Sequence, residues 1–330
     1  MSHIRLFSPI CFSATLQKGA FTLLLLLIIM ITPQRTAQHA LAAPTGIVTV
    51  TAHRQAAHAA TSPSKPDSIA MATPFNNALN FDGENDIVDL GNIGVLKGVS
   101  QYTIETWVKF ETFSVYSTVF AKRVGDTDRA AMLQVWDESG NIAVAVNNGY
   151  GYTSEPLNTG TWYHIAVVYD GAQTSDAERL KLYVNGSPKS LSFLNEVPAV
   201  TPTTESRFTL GAEYNGTTPV DADSTIAVPF DGTIDELRIW NFARTQPQIQ
   251  ADKYRELTGS EVGLEAYYDF NQGIPQGDNA GLITLNDKAG ETAENGTLWN
   301  FALIGSASNW VGNDFILYRQ YLPMLMSVSE

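Results

Sequence analysis

The chain has almost no cysteine: Cys11 is the single one in 330 residues, and it precedes the first apolar run. Beyond that run there is no thiol, so disulfides, thiolate metal sites and cysteine nucleophiles are excluded together. A lipoprotein is not expected either, since its lipidated cysteine would have to follow the apolar run. Histidine is scarce as well. His3, His39, His53 and His58 fall early, leaving His164 alone in the later sequence, and one imidazole does not make a zinc site. Positive charge is short too, with 20 Lys and Arg against 34 Asp and Glu, a net −14. Residues 1–42 hold Arg5, Lys18 and Arg35 and no acid, so the rest carries 17 cations against 34 acids, a net −17. That balance argues against nucleic acid or an anionic membrane surface as partner. Long apolar runs are also missing: Ala20 to Ile31 falls well below the roughly 20 residues a spanning helix needs. A G-x-S-x-G elbow and a phosphate-cradling glycine loop are absent.

What is present begins with a leader. Arg5 and Lys18 precede the apolar run, and Ala40-Leu41-Ala42 offers small residues for cleavage, which predicts a secretory signal peptide over 1–42. An uncleaved N-terminal anchor is the alternative. Residues 43–75 are rich in Ala, Thr, Ser and Pro without an apolar period, the composition of a flexible linker. The expected location is therefore extracellular, secreted or at the cell surface, with no membrane span in the mature chain. The apolar tail over 315–330 is broken by Pro323 and too short to span.

From residue 76 to about 314 the texture is β. Short β-branched and aromatic segments are separated by Asp82-Gly83, Asn148-Gly149, Asp170-Gly171, Asn185-Gly186, Asn215-Gly216, Asp231-Gly232 and Asn295-Gly296. These residues tolerate the positive φ of tight hairpins. The pattern predicts strands at 103–110, 117–121, 131–136, 142–147, 162–169, 180–184, 207–210, 232–240 and 264–270. Ile165 to Val168 is apolar on both parities, as in a strand buried on both faces, whereas Leu180, Leu182 and Val184 alternate with Lys181 and Tyr183. One helix is signalled over 246–257, with Thr245 and Gln248 as a capping box and Gly259 beyond its end. Asn185, Asn215 and Asn295 also fit the glycosylation pattern, but their Asn-Gly turns explain them. The fold class expected is all-β, two antiparallel sheets packed as a sandwich.

Four ordered blocks carry a family resemblance. Ala78-Leu79-Asn80-Phe81-Asp82-Gly83, Thr103-Ile104-Glu105-Thr106-Trp107-Val108, Trp162-Tyr163-His164-Ile165-Ala166 and Asp231-Gly232-Thr233-Ile234-Asp235-Glu236-Leu237-Arg238-Ile239-Trp240-Asn241 resemble the motifs of bacterial laminin-G-like modules. These are concanavalin A-like jelly rolls. The resemblance implies a jelly-roll sandwich with most of Trp107, Trp136, Trp162 and Trp240 in its core. Leu264 to Phe270 resembles a strand that often begins such modules, and residues 264–313 are expected to complete the same sandwich from the C-terminal side, with a truncated second module as the alternative.

Candidate sites follow. Lys122 to Asp128 and Leu210 to Gly216 resemble the two calcium loops of pentraxins, which would make Asp126, Asp128, Glu213 and Asn215 ligands of Ca2+. A second ion could join Asp82 to Asp235, since Asp235 shares a parity with the apolar Leu237 and Ile239. Ordinary hairpin tips and backbone caps are the plainer readings of both. For carbohydrate stacking, Tyr150, Tyr152 and Tyr214 sit in Gly- or Asn-rich stretches expected as exposed loops at the sandwich ends.

A hydrolase needs two carboxylates flanking the scissile bond. The E-x-D-x-x-E signature of the laminarinase-like relatives is absent, Glu105 and Glu111 are six apart, and Asp235 and Glu236 would face opposite ways on a regular strand. The function expected is a non-catalytic extracellular recognition or adhesion module binding a glycan or protein, with calcium as bridge or brace. A glycoside hydrolase on the same scaffold and a purely structural envelope protein are the alternatives.

Overall fold

A computed structural model describes residues 77–125, 127–289 and 294–313. The segments expected as signal peptide and linker, Asp126 and the tail over 315–330 lie outside the described residues. In chain order the strands are β1 (Asn77–Asp82), β2 (Ile87–Asp89), β3 (Gln101–Phe110), β4 (Thr118–Val124), β5 (Asp128–Val135), β6 (Ile142–Val146), β7 (Gly149–Tyr152), β8 (Trp162–Asp170) and β9 (Leu180–Val184). They continue with β10 (Ser187–Lys189), β11 (Ser192–Leu194), β12 (Phe208–Leu210), β13 (Glu213–Tyr214), β14 (Ile226–Ala227) and β15 (Asp231–Trp240). After β15 come β16 (Leu264–Tyr268), β17 (Thr284–Leu285), β18 (Gly296–Trp299) and β19 (Trp310–Gly312). Helices α1 (Asp176–Arg179) and α2 (Gln246–Asp252) follow β8 and β15.

All pairings are antiparallel. The first sheet runs β10-β9-β8-β3-β15-β1-β19, with β16 also on β15, and the second runs β11-β7-β6-β5-β4-β12-β2-β18-β17. The pair β13-β14 stands apart. Side chains of alternate parity from both sheets meet in one core, including Phe81, Tyr102, Ile104, Phe120, Leu133, Val144, Ile165, Phe208 and Ile239. Such facing layers about 10 Å apart define a sandwich. Residues 264–312 supply strands to both layers: β16 and β19 to the first, β17 and β18 to the second.

The double apolarity of β8 has a specific cause. Ile165 and Val167 enter the main core, while Ala166 and Val168 face outward with Tyr183 and are covered by Ile249 of α2. A helix, rather than a third sheet, buries the outer face. Gln248 Oε1 accepts the Thr245 amide at 2.8 Å, as the capping signal predicts. The helix stops at Asp252, five residues before the expected end. Arg238 intervenes, its guanidinium taking the carbonyls of Asp252 at 2.8 Å and Arg255 at 2.6 Å, which draws the chain out of helical register.

Beneath α2 lies a buried ionic network that the sequence did not announce. Glu105 accepts from Arg244 at 2.5 Å, Arg244 also pairs with Asp252, and the Arg244 guanidinium lies 4.1 Å over the Trp240 ring. Glu236 accepts from Arg238 at 2.5 Å and from the Tyr267 hydroxyl at 3.0 Å. Burial would raise the Glu105 carboxyl, but His164, 3.3 Å away, and Arg244 outweigh it and hold it below the ordinary range. Burial pushes the His164 pKa below its ordinary value, against the pull of Glu105.

A bulge in β15 corrects the parity argument for Asp235. Between the pairs Asp235↔Trp107 and Arg238↔Glu105, β15 advances three residues while β3 advances two, and Glu236 takes φ 54° to absorb the extra one. Ile234, Leu237 and Ile239 therefore enter the core, and Asp235 does not share their face. Asp235 and Glu236 become neighbours on one side instead of facing apart, and burial together with the Glu236 charge pushes Asp235 well above the carboxylate range. Asp82 and Asp235, the pair expected to share a second ion, stand apart along β15. Asp82 pairs with Asp231, four residues from Asp235 and so roughly 13 Å along the strand. Asp82 instead accepts the Glu84 amide at 2.9 Å, and Asp235 accepts Asn313 at 2.6 Å.

Candidate functional site

The outward face of the second sheet carries a shallow floor. Ala121 of β4, Met132 of β5 and Ala145 of β6 pack together there, with the Tyr150 ring against them. Alanines leave room above a sheet where larger side chains would fill it. Beside this floor, sharing Tyr150 with it, opens a cleft of about 390 Å³ lined by Tyr116, Gln134, Trp136, Tyr150, Leu194 and Val228 and by the charged Arg123, Arg129 and Glu213. Its volume lies in the range of small-molecule sites.

Strand parity places these groups. Gln134 and Trp136 share the outward parity of Met132, opposite Leu133 and Val135 in the core. Trp136 is half-buried rather than a core residue; Trp162 is half-buried also, while Trp107 and Trp240 are buried as the resemblance implied. Tyr152 stacks on Trp136, centroids 4.7 Å apart and 13° from parallel, and Tyr116 meets it nearly perpendicular at 6.4 Å. Arg129 lies 5.2 Å over the Tyr150 ring. Gln134 is only 4% exposed, yet its amide makes no hydrogen bond to the protein among the described residues. An amide with both donors unspent and its polar atoms still reached by solvent is open to a ligand or water.

The rim holds two strained residues. Tyr116 has φ 69° and Val228 φ 49°, the left-handed region that costs an L-residue about 1–2 kcal/mol. Thr118 ties them: its amide donates to the Val228 carbonyl at 3.0 Å, and its hydroxyl to the Tyr116 carbonyl at 2.9 Å. The Tyr116 side chain is 51% exposed.

The expected stacking residues divide. Tyr150 and Tyr152 lie at the site, but on β7 across the sheet face rather than in end loops, because their alternation with Gly149 and Gly151 is a strand alternation. Tyr214 is buried, its ring over Gly216, where an added Cβ would fall 2.1 Å from a ring carbon. It is not an exposed platform. Of the four expected calcium ligands, Glu213, Asp128 and Asn215 are among the described residues. Glu213 pairs with Arg123, Asp128 accepts the Thr204 hydroxyl, and Asn215 is exposed in the loop beyond β13. Two guanidinium groups, Arg123 and Arg129, line the same cleft as Glu213. Among the described residues no three His, Cys, Asp or Glu side chains gather where they could hold a metal. Sequence reasoning missed Tyr116, Gln134 and Trp136, although the parity of 131–136 carried the last two.

The architecture and its sheet-face cleft define a jelly-roll β-sandwich of the lectin type. Residues 82–250, just over half of the chain, match the laminin G model of the concanavalin A-like lectin/glucanases superfamily, and the chain belongs to that family. Similar solved structures include a Bacteroides ovatus protein named for carbohydrate binding, at 22% identity and TM-score 0.47, covering 68% of this chain and 58% of that one. A heptameric SAP-like pentraxin of Limulus polyphemus has 19% identity and TM-score 0.41, covering 54% of this chain and 81% of its own. The CBM40 of a Ruminococcus gnavus IT-sialidase, bound to α2,3-sialyllactose, has 15% identity and TM-score 0.41, covering 53% and 95%. At these values the functional reading rests on the cleft itself.

Proposed function

We propose that this protein is a secreted, non-catalytic glycan-recognition module, and that the glycan lies in the cleft on the second sheet. The carrying observation is the combination of apolar rings with unspent polar groups. Trp136, Tyr116 and Tyr150 offer ring surface, while the Gln134 amide, the Trp136 indole N–H and the Tyr116 hydroxyl make no hydrogen bond to the protein among the described residues. A saccharide presents C–H faces and hydroxyls to match both. Recognition is favoured over hydrolysis because Glu213 is the single carboxylate among the described lining residues and it is paired with Arg123. Acid and nucleophile or base carboxyls about 5–10 Å apart are what hydrolysis requires.

The test applies the full chain to a glycan array, with and without calcium, beside a reducing-sugar assay on each retained glycan. Retention without turnover is expected. No retention of any glycan, or turnover abolished by a single Asp or Glu substitution, overturns the reading.

A further inference from the structure

Among the described residues, five bulky apolar side chains sit on left-handed backbone: Ile93, Tyr116, Val228, Phe270 and Leu303. Ile93, Phe270 and Leu303 are buried in the main core, where the apolar surface they remove from water offsets the strain. Tyr116 and Val228 have no such compensation, since Tyr116 is exposed and Val228 only partly buried. Both line the same cleft. The other left-handed positions among the described residues carry Asn, Ser, Gln, Glu or Gly, and Asn in particular tolerates them. A β-branched residue and an exposed ring at such positions run against local preference, and the surrounding hydrogen bonds have to impose them.

We propose that Tyr116 is the specificity-determining contact of the cleft, held over it by a strained clasp in which Thr118 joins Tyr116 to Val228. This rests on the glycan reading above. The Thr118 side chain is fully buried, and its amide and hydroxyl bind the two strained carbonyls at once. The clasp fixes the Tyr116 ring nearly perpendicular to the Trp136 ring, so that a sugar entering the corner meets one ring on its face and the other along its edge. A rigid rim of this kind lowers the ordering cost of binding. Folding stability is given up in exchange, which separates a functional rim from an ordinary surface turn.

The experiment uses the full chain with Tyr116→Asn, Val228→Asn, Thr118→Val and a remote control, Ile283→Asn, whose side chain is similarly exposed at 52%. Melting is followed alongside affinity electrophoresis in gels cast with laminarin, xylan, arabinan or polygalacturonan. Tyr116→Asn and Val228→Asn are expected to raise the melting midpoint by about 2–4 °C while losing at least about tenfold in affinity for the retarding polysaccharide. Thr118→Val should lose affinity and melt lower, and the control should keep its affinity with no gain in midpoint. Undiminished retardation of Tyr116→Asn, or midpoints that fall in both Asn variants, overturns the clasp alone. A wild-type chain that none of the four gels retards, and that no array glycan retains, overturns the glycan reading and the clasp with it.

Discussion

The indole of Trp136 lies flat on the ring of Tyr152, with centroids 4.7 Å apart. One face of Trp136 is thereby held by the protein and the ring is fixed in place beside the cleft. Trp136→Ala should cost about 1.5–3 kcal/mol of binding, or roughly 10–100-fold in Kd, with folding little changed. Tyr152→Ala should cost less, because it unseats the platform without removing it. Isothermal titration with the retained glycan decides the order, and equal losses would count against Trp136 as the platform.

Asp86 provides a pH prediction. It is 1% exposed, accepts the Ser308 hydroxyl at 2.7 Å and the Asp82 amide at 3.0 Å, and burial raises its pKa from 3.8 to about 7. Because the folded value is the higher one, the fold favours the protonated acid. Its contribution is full below the unfolded pKa and is lost as pH rises towards 7. Asp86→Asn mimics the protonated form and can still satisfy both partners. Its advantage over wild type should grow between pH 4 and pH 8, with about 4 kcal/mol as the ceiling. Urea midpoints across that range measure it, and a constant difference would contradict the assignment.

The network under α2 predicts a stability defect confined to folding. Arg244→Met leaves Glu105 buried with one cation fewer, and losing one member of a buried pair costs about 3–5 kcal/mol. Glycan affinity per folded molecule should be unchanged, since the network lies on the other sheet. Because the folded pKa of Glu105 is depressed, its stabilisation is present above the unfolded value and lost as pH falls through the folded one. Wild type should therefore lose part of its lead over Arg244→Met in acid, as denaturant titrations at neutral and acid pH would reveal.

Metal dependence has a definite expectation. With Glu213 already paired to Arg123, added calcium should give no saturable rise in melting midpoint and chelation no fall. Glu213→Gln should destabilise the chain by taking the opposing charge from a buried guanidinium that keeps its bonds to the Gly125 carbonyl, whether calcium is present or not. A calcium-dependent rise abolished by Glu213→Gln would restore the ligand role implied by the pentraxin likeness.

Strands and turns were legible because alternation and Asn-Gly or Asp-Gly pairs are local signals, and β9 falls on Leu180–Val184 as read from the sequence. The site was legible only in fragments. Tyr150 and Tyr152 were singled out for exposure in a loop, yet it is their strand parity that brings them beside Trp136. Asp235 was misplaced because parity assumes an unbroken strand, and a bulge at Glu236 leaves no mark in a single sequence. Tyr116 could not be found at all: its importance lies in a backbone angle and in a carbonyl shared through Thr118, both products of tertiary packing.

Asn77 of β1 and Gly312 of β19 are register partners. The polypeptide thus arrives and departs through one doorway at the margin of the first sheet, while the proposed glycan cleft opens on the opposite layer. Spliced into a surface loop of an unrelated host, the unit would need almost no gap between its splice points. It would hang from the host by a narrow stalk, with the cleft on the layer away from the junction.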